Sequence, residues 1–486
     1  MSPEPALPNQ RFLLKDIALL WTGEHDGRLL TNCSIVVDSG IIQWVGAHDR
    51  LPTSLRALPF TTVDMSACLV TPGLVNTHHH MYQSLTKCIA RDSSLFEWLN
   101  TLFPIWNFLT ADMVYKSARF AIAELLLSGC TLTSDLLYLF PNDVKLDETI
   151  RAAAELGIRF HPCRGAVSVG ESDGGLPPDT LVEDETAILR DMRRLIDRYH
   201  DERDGSMLRL ALAPCSPFSV SERLMKKCAR LARSYNNVML HTHFAENSSD
   251  VEYMSTNVQK GLVEYLEHCG WNERDCWFAH CVKIRDDDDD GRYTSSLKYF
   301  AQQGLGVSHC PTSNCRLGSG AAPLAKMMKM GVPVSLGVDG SASNDSGNLL
   351  AEARMALMVA RVRDEKADAV STSDVLRMAT SGGAAVLGRA DVGYIKAGMC
   401  ADVAGWRLDA PCFAGSFHSP EAVLSALILG NGGDLKANYV MVNGMEVVRG
   451  GALARGVDMG TITREHHEAA MKLATIASDQ LARAVP

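Results

Sequence analysis

The sequence predicts an α/β fold, a (β/α)8 TIM barrel with a small β-sandwich domain formed from both chain ends. Three observations predict it. Eight short β-branched or apolar runs between residues 70 and 341 end in polar residues and alternate with helical stretches, as repeated β-α units do. The first seventy residues read instead as short strands joined by polar turns, and that texture returns after residue 400. Histidines and acids gather at the ends of several of the eight runs, the rim where a barrel of this kind carries its chemistry.

Strand candidates at 13–20, 33–38 and 41–45, punctuated by Gly27 and Gly40, make residues 1–70 the N-terminal part of the sandwich. Residues 71–390 make the barrel. Its strands are expected at 70–80, 131–138, 158–166, 208–217, 238–246, 276–282, 305–311 and 333–341, and its helices at 112–128, 181–199, 221–235, 261–269 and 321–330 among others. Eight alternations favour a closed barrel over an open doubly wound sheet. Residues 391–486 return to the sandwich at 401–406 and 439–448, where Val442-Asn443-Gly444 reads as a hairpin turn, and end in a helix over 462–484.

Composition narrows the function. A chain of 486 residues, 46% hydrophobic, can bury a large core. Its net charge of -10 and the lack of a dense Lys/Arg block exclude a nucleic-acid footprint. Neither a signal-peptide pattern nor a long apolar stretch is present, so a cytoplasmic protein with no membrane association is expected. A homo-oligomer is the expected assembly. The fourteen cysteines show no CxxC pair and read as reduced core residues, the pairs Cys276/Cys281 and Cys310/Cys315 included. The acidic run 286–290 reads as a solvated loop. The turn-rich segment 170–178 either touches substrate or merely connects.

The metal signal starts at Asn76-Thr77-His78-His79-His80. Side chains two apart on a strand face one side, so His78 and His80 can share an ion while His79 points away. The fifth run ends in His243 with Glu246 three residues on, the sixth in His280, and the eighth in Asp339. His78, His80, His243 and Asp339 form the expected ligand set for one divalent ion. Three imidazoles and a carboxylate suit Zn(II), the expected ion, or Fe(II), rather than Mg(II) or Ca(II). No lysine on the fourth run is available for carbamylation to bridge two metals. Such an ion lowers the pKa of a water toward about 7. Asp339 is then expected to accept a proton from that water, Glu246 to carry protons on the substrate, and His280 to polarise the developing oxygen. Gln83 offers a donor and an acceptor to the amide-like edge of a base, or is a polar loop residue. Trp98 either stacks on an aromatic ring or packs internally.

Together these residues resemble the amidohydrolase superfamily, in its aminohydrolase branch of guanine, cytosine, adenosine-type and s-triazine enzymes. The motifs that carry the likeness run from Pro72 to His80, pair His243 with Glu246, and include Ala279-His280, His309-Cys310-Pro311-Thr312-Ser313-Asn314, the stretch Gly337 to Asp345, and Gly398 to Val403. Within the branch, His80 to Thr86, Arg164 to Ser168 and Gly174 to Asp179 look most like the 8-oxoguanine deaminases. The resemblance implies hydrolysis of a heterocyclic base, 8-oxoguanine giving urate and ammonia, with Arg164 as a further substrate contact. It keeps open an s-triazine or hydroxytriazine amino- or chlorohydrolase, and a guanine, isocytosine or pterin deaminase. A non-catalytic metal- and ligand-binding barrel is the reading from another class.

Overall fold

The computed structural model describes residues 10–24, 26–285 and 295–483, so the acidic run 286–290 lies outside the described residues. Eight strands form one parallel sheet in chain order: Leu74–Asn76, Cys130–Leu137, Arg159–Ala166, Ala211–Pro214, Met239–Phe244, Cys276–His280, Gly306–His309 and Val334–Leu336. The eighth strand meets the first through the Thr77 amide on the Leu336 carbonyl (3.0 Å) and the Asp339 amide on the His78 carbonyl (3.1 Å). The Asn76 side chain adds a bond from the Val338 amide at 2.9 Å. These contacts close the barrel, as the eight runs predicted.

Its helices form where amphipathic stretches carry their own start and stop signals. Glu185–Tyr199 is capped by the Asp184 side chain, which accepts from the Ala187 amide, and buries Ile188, Met192, Leu195 and Ile196. That spacing is one face of a 3.6-residue helix. Glu222–Ala232 is capped in the same way by Ser221, and Leu262–Cys269 stops at Gly270, which takes a left-handed φ of 73°.

Both chain ends meet in a second sheet of nine strands. Arg11–Trp21 pairs with Leu29–Asp38, and Cys68–Pro72 pairs with Val403–Arg407, which continues to Tyr439–Val442 and Met445–Arg449. The expected turn between the last two is present, with Asn443 and Gly444 both at positive φ (50° and 77°). Phe12, Ile35 and Val70 from the N-terminal part share an apolar core with Val403 and Met441, so this sheet curls over a core of its own. Two strands here, Thr61–Asp64 and Ala452–Leu453, had not been expected.

The run expected as one barrel strand, 70–80, divides. Cys68–Pro72 belongs to the terminal sheet and Leu74–Asn76 to the barrel, and the break falls at Gly73. A Cβ there would lie 2.1 Å from the Thr131 hydroxyl, so only glycine lets the two sheets meet at this corner. Just beside it, the buried Arg159 guanidinium holds both Asp402 oxygens, at 3.0 and 2.8 Å, tying the third barrel strand to the returning chain. The last helix, Met459–Arg483, lies against the helix Ala111–Leu127. Among the described residues no helix is long and apolar enough to cross a membrane.

Candidate metal centre and active site

His78, His80, His243, Glu246, His280 and Asp339 all come to the C-terminal rim of the barrel, from its first, fifth, sixth and eighth strands. All but His243 are at least 96% buried. Ligand atoms of His78, His80 and His243 lie within 4.8 Å of one another, and so do those of His78, His280 and Asp339. The two sets overlap at His78, which brings His280 closer to the donor cluster than a separate polarising role had suggested.

Hydrogen bonds fix which nitrogen of each ring faces this cluster. The Nδ1 of His80 lies 2.7 Å from the Leu136 carbonyl and that of His243 lies 2.6 Å from the Cys215 carbonyl. A carbonyl only accepts, so both protons sit on Nδ1 and both Nε2 atoms present lone pairs. His241 Nδ1 likewise donates to the Trp277 carbonyl at 2.9 Å, which leaves its Nε2 to accept from His78 Nδ1 at 2.8 Å. His78 Nε2 then also carries a lone pair, and it is buried without a hydrogen-bond partner. The Nε2 atoms of His80 and His243 are 2.9 Å apart. Two facing lone pairs at that distance repel unless a cation lies between them. Burial pushes the pKa values of His78, His80 and His243 down, which keeps the rings neutral, the form that ligates.

The carboxylate side fits as well. Asp339 Oδ1 stands 3.3 Å from His78 Nε2 and 3.4 Å from His80 Nε2. Burial pushes its pKa up, but the imidazoles around it, His78 foremost, outweigh that and hold the group ionised. Imidazole nitrogens with one carboxylate are a donor set for Zn(II) or a similar divalent ion, and His78, His80, His243 and Asp339 are the residues that could hold it.

Two further groups supply proton chemistry. Burial pushes the Glu246 carboxyl up to about 7, so it can give or take a proton near neutral pH. Its Oε2 lies 3.5 Å from His280 Nε2, which is also 3.8 Å from Asp339 Oδ2. His280 Nδ1 donates to Asn314 Oδ1 at 2.9 Å. Burial lowers the His280 pKa, yet the charges of Glu246 and Asp339 prevail and raise it. Ala245, His280, Cys281 and Asp339 all take left-handed φ angles of 50 to 70° without being glycine, a backbone strain held by the surrounding rim.

A cavity opens over His80, His243, Glu246, His280 and Asp339. Gln83 lines it. The Gln83 Nε2 donates to the Tyr138 hydroxyl at 3.3 Å, while its Oε1 is buried with no partner. That oxygen fits because residue 340 is glycine: a Cβ there would come within 1.8 Å of it. Trp98 also lines the cavity, but its Nε1 donates to the Ala342 carbonyl at 3.0 Å and its ring meets Trp106 edge-on. Its packing role and its place at the cavity therefore coexist.

Arg164 is not brought to the cavity. Its guanidinium bonds Glu183 (2.7 and 3.0 Å) and Asp191 (2.9 Å) and lies over the Phe140 ring, so its charge is committed to tying down the chain before the helix Glu185–Tyr199. The 170–179 loop contributes no residue to the lining. Sequence reasoning missed His241 and Asn314, which orient His78 and His280. His241 was within reach, since it lies two residues before His243 and so shares its inward face. The apolar wall, including Leu95, Phe103, Phe218 and Leu317, comes from loops and a helix whose inward side chains no short motif marks.

The comparisons with known proteins agree with this arrangement. The model of the Amidohydrolase family matches residues 69–447. The chain is 40% identical over 443 residues to the 8-oxoguanine deaminase of Pseudomonas aeruginosa, covering 90% of this chain and 94% of that one. It is 31% identical over 447 residues to the hydroxydechloroatrazine ethylaminohydrolase of a Pseudomonas species, covering 89% of each. The crystal structure of atrazine chlorohydrolase from Arthrobacter aurescens TC1 complexed with zinc superposes with a TM-score of 0.86 at 31% identity, covering 94% of this chain and 100% of that one. With a parallel barrel, a rim of neutral imidazoles and a family match across most of its length, the chain belongs to the amidohydrolase family of hydrolases.

Proposed function

We propose that the protein is a metal-dependent deaminase of an oxidised purine base. Water adds to C2 of 8-oxoguanine, the bond from C2 to the exocyclic nitrogen breaks, and urate and ammonia leave. The observation that carries this reading is Glu246, a buried carboxyl pushed up to about 7 and facing His280 across 3.5 Å. Deamination of a cyclic amidine needs a proton delivered to a ring nitrogen and another to the departing amine. One carboxyl titrating near neutral pH can serve both.

A divalent ion held by His78, His80, His243 and Asp339 would supply activation of water at neutral pH. Asp339 accepts a proton from the attacking water. Glu246 protonates the ring nitrogen and then the amine. His280 hydrogen-bonds the oxygen that forms at C2. Gln83 meets the amide-like edge of the base with its unpartnered Oε1, which accepts a ring N–H. Among the described residues, those lining the cavity include no lysine or arginine, which suits an uncharged base better than a substrate carrying phosphate. The 40% identity to an 8-oxoguanine deaminase supports the choice of base.

The test is a coupled ammonia assay of zinc-loaded protein with 8-oxoguanine, guanine, isocytosine, isoxanthopterin and hydroxytriazines. Ammonia and urate from 8-oxoguanine, lost in Glu246→Gln with the metal retained, are the expected result. Turnover confined to triazines would replace the substrate, and full activity of Glu246→Gln would remove the shuttle.

A further inference from the structure

Glu246 can carry protons only if its carboxyl points where the substrate nitrogen lies, and its backbone is not one that holds itself. Ala245, immediately before it, sits at φ 50°, a left-handed conformation that costs about 1 kcal/mol or more for a residue with a side chain. From the turn after the next strand, the Cys281 amide bonds the Phe244 carbonyl at 3.1 Å and the Lys283 amide bonds the Ala245 carbonyl at 2.9 Å. These hold the carbonyls of the turn. Its amides are held by something else.

That group is Asp250, 1% exposed at the start of the short helix Ser248–Tyr253. Its Oδ2 accepts the Glu246 amide at 3.0 Å, and the Ala245 amide faces the same carboxylate. Asp250 is fixed in turn by Asn247, whose Oδ1 accepts the Asp250 amide at 2.8 Å. An aspartate three residues into a helix usually reaches back to the capping residue. Here it reaches one and two residues further, to the amides of Glu246 and Ala245. Its remaining oxygen, Oδ1, is buried without a hydrogen bond. A carboxylate with an unpartnered oxygen in such a place is costly for folding alone, which argues that it serves the residue it holds.

We propose that Asp250 is a positioning residue, aiming the Glu246 carboxyl at His280 and the substrate by holding the amides of the strained turn. The inference rests on the shuttle role given to Glu246 above. Asp250→Ala, Asp250→Asn and Glu246→Gln are compared in the full-length, zinc-loaded chain, by kcat and KM for 8-oxoguanine, metal per chain, and a crystal structure of each.

In Asp250→Ala the Glu246 carboxyl is expected to leave its 3.5 Å contact with His280. kcat should fall about 100-fold, the scale of an ångström-sized misplacement, with KM within about threefold and full metal content. Asparagine keeps an oxygen that can accept the amides, so Asp250→Asn should keep the Glu246 position and roughly a fifth or more of kcat. If the alanine variant does not fold, Asp250→Ser, too short to reach the Glu246 amide, carries the same expectation. A Glu246 carboxyl that stays on His280 in the alanine or serine variant overturns the inference, whatever happens to kcat. So does a fall in kcat that only follows lost metal. An active Glu246→Gln enzyme overturns the shuttle reading instead, and the crystal structures still decide whether Asp250 places Glu246.

Discussion

His241 Nε2 lies 2.8 Å from His78 Nδ1, and the other His241 nitrogen is bound to the Trp277 carbonyl. The ring of one buried histidine thereby sets the tautomer of the next and turns the His78 lone pair toward the donor cluster. Groups that orient a ligand in this way contribute about 10- to 100-fold to metal affinity. Zinc affinity of His241→Ala, measured by competition with a chromophoric chelator, should fall by that factor while His78, His80, His243 and Asp339 are all intact. Unchanged affinity would mean that His78 is held by packing alone.

Removing the ion should lower stability as well as activity. The apo site leaves the Nε2 lone pairs of His80 and His243 facing each other at 2.9 Å, and a ligand that binds only the folded state stabilises it by about 2.7 kcal/mol at a hundredfold excess over its Kd. Chelator-treated protein should melt at a lower temperature, and zinc should restore both the melting temperature and turnover. Equal melting curves with and without zinc would show that the donors do not hold an ion.

Gly340→Ala should act on substrate rather than on the fold. Its new Cβ would displace the end of the Gln83 side chain, a flexible group, and so remove the unpartnered oxygen from the cavity. Loss of one such hydrogen bond is worth about 1 kcal/mol. KM should therefore rise roughly fivefold to tenfold with little change in melting temperature, as steady-state kinetics and calorimetry would reveal.

The Arg389–Asp391 pair sets an acid limit on stability. Burial alone would raise the Asp391 pKa, but the two Arg389 bonds (2.8 and 2.6 Å) and its charge hold it well below the usual carboxylate range. Because the folded pKa is depressed, the contribution is complete above about pH 4, the unfolded value, and is lost as pH falls below it. Asp391→Asn leaves the buried guanidinium unpaired and should cost about 3 kcal/mol or more at pH 7. In urea titrations that difference should shrink as pH drops from about 4 toward 2. A constant difference over that range would show that the charge of Asp391 is not its contribution.

Much of the fold is legible because strand and helix periods differ. The eight barrel strands and the hairpin at Asn443 and Gly444 fall where alternation and turn residues place them. Legibility fails where one run serves two sheets. Nothing in the period of residues 70–80 marks the break at Gly73; only the crowding of Thr131 does. Among site residues, His78, His80, His243, Glu246, His280 and Asp339 come together because each lies at, or within four residues of, the C-terminal end of a barrel strand on one rim. Arg164 also lies near such an end, but Glu183 and Asp191, 19 and 27 residues further along the chain, claim its charge. A motif shows that an arginine is present, not which acids reach it first.

The corner at Gly73 has a consequence for the order of assembly. The strand Cys68–Pro72, separated by Gly73 alone from the barrel strand that leads to His78, has Val403–Arg407 as its antiparallel partner. During synthesis that partner emerges more than three hundred residues later, after all eight barrel strands. Such distant pairings form slowly. A ribosome-bound chain lacking its last fifth already has Leu74–Asn76 between the second and eighth barrel strands, but Cys68–Pro72 is paired on the Arg11–Trp21 side alone, so the segment that leads into the metal-binding strand is the last to be fixed.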